Sequence, residues 1–213
     1  MTKNRSLKVT IFDYGVGNLH SISKALELSG AKVSVATTID EVLKAKAIVL
    51  PGVGEFGAVM KNLGPKRRLL TKRLKEGVPT LGICIGFQVM FDTSEESKGR
   101  GLGLIEGRVL RFKEVKTPHM GWNTVCTTKA GTKDPIMKGL PKISYFYFAN
   151  SYAPAPKGKD GTILAESEYG LNFPSVMRIA NTYGTQFHPE KSSRVGLRLI
   201  KNFVSFAAKE AIE

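Results

Sequence analysis

Thr80-Leu81-Gly82-Ile83-Cys84-Ile85-Gly86-Phe87-Gln88 reads as a short apolar strand that passes through a tight turn into a helix. A turn of the form Gly-x-nucleophile-x-Gly throws its central side chain out of a sheet, and the flanking residues must be small where backbones pass closely. Here the central residue is Cys84. The helix expected over residues 85–91 aims its N-terminus at the sulfur and favours thiolate over thiol. A lone cysteine is ordinarily a small buried hydrophobe. The two glycines and the strand-to-helix junction favour a nucleophile instead.

The same alternation extends to both sides. Strands are expected at residues 9–12, 32–36, 47–50 and 80–83, with helical stretches between them at 18–30, 40–44 and 56–76, the last interrupted near Gly64-Pro65. Asn18 is a natural N-cap and Gly30 a natural C′ residue for the first helix. Strands alternating with helices imply a parallel sheet covered on both faces. After Ser94 the texture becomes Gly-, Pro- and aromatic-punctuated, as in strands and hairpins. A late strand is expected at 183–187 and a closing amphipathic helix at 195–208, with Leu197, Ile200, Phe203, Val204 and Ala207 on one face. The expectation is an α/β fold in a single domain over residues 1–213. Its central sheet is mostly parallel with helices on both faces, and an antiparallel strand region is inserted or appended.

Composition narrows the classes. The chain has 213 residues, 42% of them hydrophobic, enough to bury a sizeable core and to exclude a disordered chain. No apolar run approaches the roughly 18–20 residues that span a bilayer, and the N-terminus shows no apolar signal segment, so a cytoplasmic protein is expected, without a membrane partner. The net charge is +14. The densest basic stretch, residues 66–75, carries Leu69, Leu70 and Leu74 at helical spacing, which puts its charges on a solvated face. An acidic partner is a lesser reading. Nucleic acid is the least favoured, because the stretch has no aromatic residues for base stacking.

Cys84 and Cys126 are the only cysteines, and His20, His119 and His188 the only histidines, so cysteine–histidine chemistry has few ways to be built. A thiolate nucleophile needs a base in hydrogen-bond reach and a third group to orient that base. His188-Pro189-Glu190 follows directly from the late strand. Catalytic residues of open α/β sheets collect at such strand ends. His188 can face Cys84, while Glu190 returns to the other imidazole nitrogen. Gly52-Val53-Gly54-Glu55-Phe56-Gly57 matches the dinucleotide pattern GxGxxG, but it is not in the first βα unit and lacks the acidic ribose ligand about 20 residues on. Its backbone N–H groups suit a developing oxyanion better.

Pro51-Gly52-Val53-Gly54, Gly82–Gln88 and His188-Pro189-Glu190, in that order, resemble a class I, triad-type glutamine amidotransferase. More narrowly, Asp13-Tyr14-Gly15-Val16-Gly17-Asn18, Pro118-His119-Met120-Gly121-Trp122-Asn123, Tyr147–Tyr152 and His188–Ser192 resemble the glutaminase subunits of imidazole glycerol phosphate synthases. The resemblance implies a flavodoxin-like fold, with Cys84 as nucleophile, His188 as base and acid, and Glu190 as orienter. It further implies Gly52, Val53 and Gly54 as oxyanion strand, and Gln88, Ser151 and Tyr152 as contacts to L-glutamine. Asn18, Trp122, Tyr147 and Lys191 would meet a cyclase subunit in a 1:1 heterodimer and gate ammonia into it, within histidine biosynthesis. No metal or organic cofactor is implied. Two departures stand out. The elbow reads Cys-Ile-Gly-Phe-Gln where Cys-Leu-Gly-Met-Gln is usual, and Asn150 occupies a position where histidine is common. From the residues alone, Trp122 in its Gly-Trp-Asn segment reads as a loop residue at an interface rather than a core anchor. The elbow also admits a cysteine hydrolase or protease, or an amidotransferase with another acceptor, and the charge admits a basic binding module.

Overall fold

Short apolar runs form the centre of the sheet in the computed structural model, which describes residues 6–13, 15, 19–52, 54–158 and 161–211. Strands Lys8–Phe12 (β1), Lys32–Ala36 (β2), Ile48–Leu50 (β3) and Thr80–Ile83 (β4) alternate with helices His20–Leu28 (α1), Ile39–Leu43 (α2), Phe56–Leu63 (α3) and Arg67–Lys75 (α4). Strands β3 and β4 are buried at every residue, as parallel strands covered on both faces must be. Their side chains alternate between two cores. Val9, Ile11, Val49 and Leu81 join Ile22 and Leu26 of α1. Phe12, Ile48 and Leu50 join Val42, Phe56, Val59, Leu70 and Leu74 of α2, α3 and α4. Thr38 and Glu41 form a reciprocal capping box at the start of α2. Asn18, the expected cap of α1, lies outside the described residues; Leu19 stands at the N-cap without a side-chain bond.

The chain continues through Ile85–Gln88 (α5), Phe91–Ser94 (β5), Ile105–Arg111 (β6), His119–Thr127 (β7), Ile143–Asn150 (β8), Tyr152–Pro156 (β9), Thr162–Glu168 (β10), Asn172–Ile179 (β11), Thr182–Thr185 (β12) and Ser193–Glu210 (α6). A nine-stranded sheet runs β2-β1-β3-β4-β12-β11-β10-β7-β8, and a smaller one runs β5-β6-β9. Pairings from β2 to β12 are parallel and those from β12 to β8 antiparallel, so the antiparallel region continues the main sheet. Strand β12 is the seam. It pairs with β4 on one side, Thr185 opposite Ile83, and with β11 on the other. The strand that leads into Cys84 and the strand before His188 therefore end side by side.

Three local expectations are corrected. Helix α5 stops at Gln88 rather than continuing to residue 91, because the small sheet captures the chain: Leu102 N donates to Val89 O, and Leu104 N to Met90 O. In α6, Leu197 is 36% exposed and Leu199 is fully buried. The buried stripe starts at Gly196 and continues through Leu199, Ile200, Phe203, Val204 and Ala207. Leu69 of α4 is likewise exposed, leaving Leu70 and Leu74 as the buried pair. The basic face of this region is solvated as expected and partly compensated, with Lys66 bonded to Asp40 at 2.6 Å. Among the described residues no helix is long and apolar enough to cross a membrane.

Gly86 is where the elbow presses hardest on the sheet: a Cβ there would overlap the backbone carbonyl of Leu50. Backbone cannot yield as a flexible side chain does. Gly86→Ala should lower the unfolding free energy by about 1–3 kcal/mol, seen as a lower urea midpoint at unchanged slope.

Candidate active site

Cys84 sits at φ 47° and ψ −107°, between β4 and α5. The left-handed φ is uncommon outside glycine and turns the side chain out of the strand's path. Three backbone hydrogen bonds hold it: Cys84 N donates to Thr185 O at 2.7 Å, and Phe87 N and Gln88 N donate to Cys84 O at 3.0 and 2.9 Å. Because α5 has one turn, its dipole is a small influence on the sulfur, and a neighbouring cation matters more.

That cation is His188. The residue is 4% exposed and follows β12 at the head of a 3-10 turn, Pro189–Lys191. His188 Nδ1 and Glu190 Oε1 lie 2.8 Å apart, in the arrangement expected from the His-Pro-Glu spacing. On its other side the ring interacts with Cys84 through a hydrogen bond and charge. Burial alone would depress the imidazole pKa. The Cys84 charge and hydrogen bond, then the hydrogen bond and charge of Glu190, outweigh it and push His188 up to about 10. The other histidines are placed otherwise. His119 is buried between Tyr169 and Phe148, with ring centroids 3.9 and 5.0 Å away, and burial lowers its pKa. His20 is exposed on α1.

Gly52 packs against Cys84 and His188 from the β3 side. A Cβ there would lie 2.7 Å from His188 Cε1 and 3.1 Å from Cys84 Cβ, so only a glycine backbone fits against both. Gly54 follows at φ 100°, and Val53 lies outside the described residues. Gln88 is 3% exposed. Its Nε2 donates to Tyr152 O at 3.0 Å and to Gln186 Oε1 at 2.9 Å. Asn150 Nδ2 also donates to Tyr152 O, at 2.8 Å. Ser151, between them, accepts from Phe112 N through its own carbonyl. Sequence reasoning missed Gln186, whose Nε2 donates to Cys84 Sγ at 3.6 Å. The available signal was its position two residues before His188, in the short segment that joins β12 to the 3-10 turn.

Trp122, Tyr147 and Lys191 come together on the surface. Trp122 and Tyr147 are cross-strand partners in β7 and β8, with ring centroids 6.3 Å apart in an edge-on arrangement. Lys191 Nζ lies 5.9 Å from the Tyr147 ring. Trp122 thus lies within a strand, not in the expected loop, but it is 54% exposed and no core anchor. Met120, Ile143 and Tyr145 extend this exposed apolar surface. The surface is bonded to the turn behind it: His188 N donates to Tyr147 O at 2.9 Å, and Tyr147 N donates to Ser192 Oγ at 2.9 Å. Asn18, grouped with these residues from the sequence, lies outside the described residues.

Comparisons with known proteins agree with this architecture. The class-I glutamine amidotransferase family model matches residues 10–206. The imidazole glycerol phosphate synthase subunit HisH of Methanocaldococcus jannaschii is 47% identical over 198 residues, covering 92% of this chain and 98% of that protein. The protein of the same name from Halobacterium salinarum is 43% identical, with 98% of each chain covered. Among solved structures, the glutaminase domain of Trypanosoma brucei CTPS superposes with a TM-score of 0.71 at 15% identity, covering 98% of this chain and 95% of that one, a likeness of fold. By its family match and the extent of these identities, the chain belongs to the class-I glutamine amidotransferases and, within them, to the HisH family.

Proposed function

We propose that the protein is the glutaminase subunit of an imidazole glycerol phosphate synthase, working in the cytoplasm in a 1:1 complex with a cyclase subunit. The observation that carries the chemistry is the linear array Cys84, His188 and Glu190, buried together with Gly52 against its first two members. The Cys84 thiolate attacks the side-chain amide carbon of L-glutamine, forming the C–S bond. Backbone N–H groups of the Gly52-Val53-Gly54 segment receive the developing oxyanion. The imidazolium of His188 donates its proton to the leaving nitrogen, the C–N bond breaks and ammonia departs. The glutamyl thioester is then attacked by water, which gives its proton to His188. As the C–S bond breaks, the electron pair returns to sulfur and glutamate is released. Glu190 fixes the tautomer and stabilises the charged ring. Gln88, Ser151 and Tyr152 are assigned to the amino-acid end of the substrate.

Ammonia released into neutral water becomes ammonium, which is not a nucleophile, so delivery needs a protected route into the partner. The exposed Trp122 and Lys191 beside the half-buried Tyr147 support a docking face at that point. A large aromatic anchor beside a cation is the composition that dominates binding energy at protein interfaces. Its backbone bonds to the His188 turn give the docked partner a short mechanical path to the triad.

Cys84→Ala should abolish glutamate release from glutamine, in the presence of a cognate cyclase subunit and its nucleotide ligand, while the thermal melt stays within a few degrees of wild type. Restored or retained release would remove Cys84 from the chemistry. Trp122→Ala should weaken cyclase binding by about tenfold or more, measured by calorimetry. Glu190→Gln should reduce turnover at least about a hundredfold and lower the His188 titration, followed by NMR, from about 10, while the larger upward push from Cys84 remains. The sign follows from linkage. A raised folded-state pKa stabilises the fold fully below the unfolded value of 6.5, and that stability is lost as pH rises through about 10. Glu190→Gln should therefore flatten the decline in stability over this window.

A further inference from the structure

Gln186 has no part in the reaction just described, yet it is fully buried and both ends of its amide are used. A buried amide needs hydrogen-bond partners, because an unpaired donor or acceptor keeps its full desolvation cost. The donors here run in one direction. Gln88 Nε2 gives its hydrogens to Tyr152 O at 3.0 Å and to Gln186 Oε1 at 2.9 Å. With its oxygen engaged, Gln186 can turn only Nε2 toward the elbow, where it meets Cys84 Sγ at 3.6 Å. The backbone fixes the approach as well, since Gln186 N donates to Ser175 O at 3.0 Å and Cys84 N to Thr185 O at 2.7 Å. The titratable groups that face the sulfur are on the 3-10 turn after β12: His188 directly, and Glu190 through it.

We propose that Gln186 is an amide donor to the nucleophile, holding Cys84 Sγ in line with His188 and favouring its anionic form, with Gln88 fixing the orientation of that amide. This deepens the glutaminase reading and rests on it. An N–H donor is matched to sulfur when it carries charge: before attack, and again when the C–S bond of the thioester breaks and its electron pair returns to sulfur. His188 gives up a proton during the cycle. Gln186 does not, so its stabilisation persists through both half-reactions. Gln88 is the fourth residue after Cys84, one helical turn along, and Gln186 is two before His188. The two short motifs that supply the dyad thus also supply its amide relay.

The test is the pH dependence of Cys84 alkylation by iodoacetamide, in a Cys126→Ser background because Cys126 is exposed. Gln186→Leu removes the donor, and should raise the midpoint of the alkylation profile by about one pH unit and slow alkylation at pH 7 about tenfold. Gln186→Glu keeps the shape and still accepts from Gln88, but presents an oxygen to the sulfur. It should raise the midpoint further. A glutamate there repels a charged sulfur whatever the role of the glutamine, so Gln186→Leu decides: superimposable profiles for it and the parent overturn the proposal. If Gln186→Leu fails to fold, Gln88→Leu takes its place: it leaves the donor but frees its orientation, and an unchanged midpoint there overturns the relay. Alkylation reads the sulfur whether or not glutamine is the substrate. A shifted profile in a protein that releases no glutamate would sink the glutaminase reading and leave the sulfur–amide contact standing.

Discussion

Cys84 is held in a backbone conformation that a residue with a side chain seldom adopts, at a cost of order 1–3 kcal/mol. What sustains it is a junction of three backbone segments. Strand β12 supplies the Thr185 carbonyl to Cys84 N, the first turn of α5 returns two N–H groups to Cys84 O, and the β3 end passes so closely that Gly86 lies on Leu50 O. None of these contacts can form without the others in register. The parallel half of the sheet, the burial of β3 and β4, and the packing of α5 over the seam are all conditions for one sulfur atom to face outward.

The same junction explains why a charged pair is tolerated in a buried place. Isolated, a buried imidazolium would discharge. Here the ring lies between a sulfur and a carboxylate, and the peptide groups around it are engaged: His188 N with Tyr147 O, and His188 O with Ser192 Oγ at 2.6 Å. The carboxylate meets the ring through Oε1, while Glu190 Oε2 is buried without a hydrogen-bond partner among the described residues. The surplus of surface cations has no direct part in this. The basic face of α4 is formed by side chains over Leu70 and Leu74, on the opposite side of the main sheet from α6.

Much of this was legible in the residues, and the failures have a common cause. The elbow, the parallel strands, the interruption at Gly64-Pro65 and the pairing of His188 with Glu190 depend on neighbours a few positions away, and local pattern carries them. The end of α5 at Gln88 depends on Leu102 and Leu104, which capture the chain from a second sheet. Trp122 looked like a loop residue because Gly121 and Asn123 flank it, but pairing with Tyr147 of β8 overrides those local preferences. Leu197 and Leu199 differ by the phase of one helix, which Gly196 sets by packing on Pro189 O. Gln186 was hidden for another reason. A glutamine just past a strand's end is unremarkable until its amide is seen to end on sulfur.

The seam strand also dictates when the site can exist. Cys84 and Gln186 are 102 residues apart in the chain, and the bond from Cys84 N to Thr185 O spans nearly the same interval. Contacts that long close late, because loop entropy must be spent before they return anything. During synthesis, the parallel strands up to β4 can be complete while the cysteine still lacks the carbonyl that holds its turn, the Gln186 amide and the His188 ring. A truncated or partly emerged chain would carry Cys84 at the end of a strand with none of these contacts. The surroundings of Cys84 are thus timed by topology: the last strand of the sheet to be made completes them.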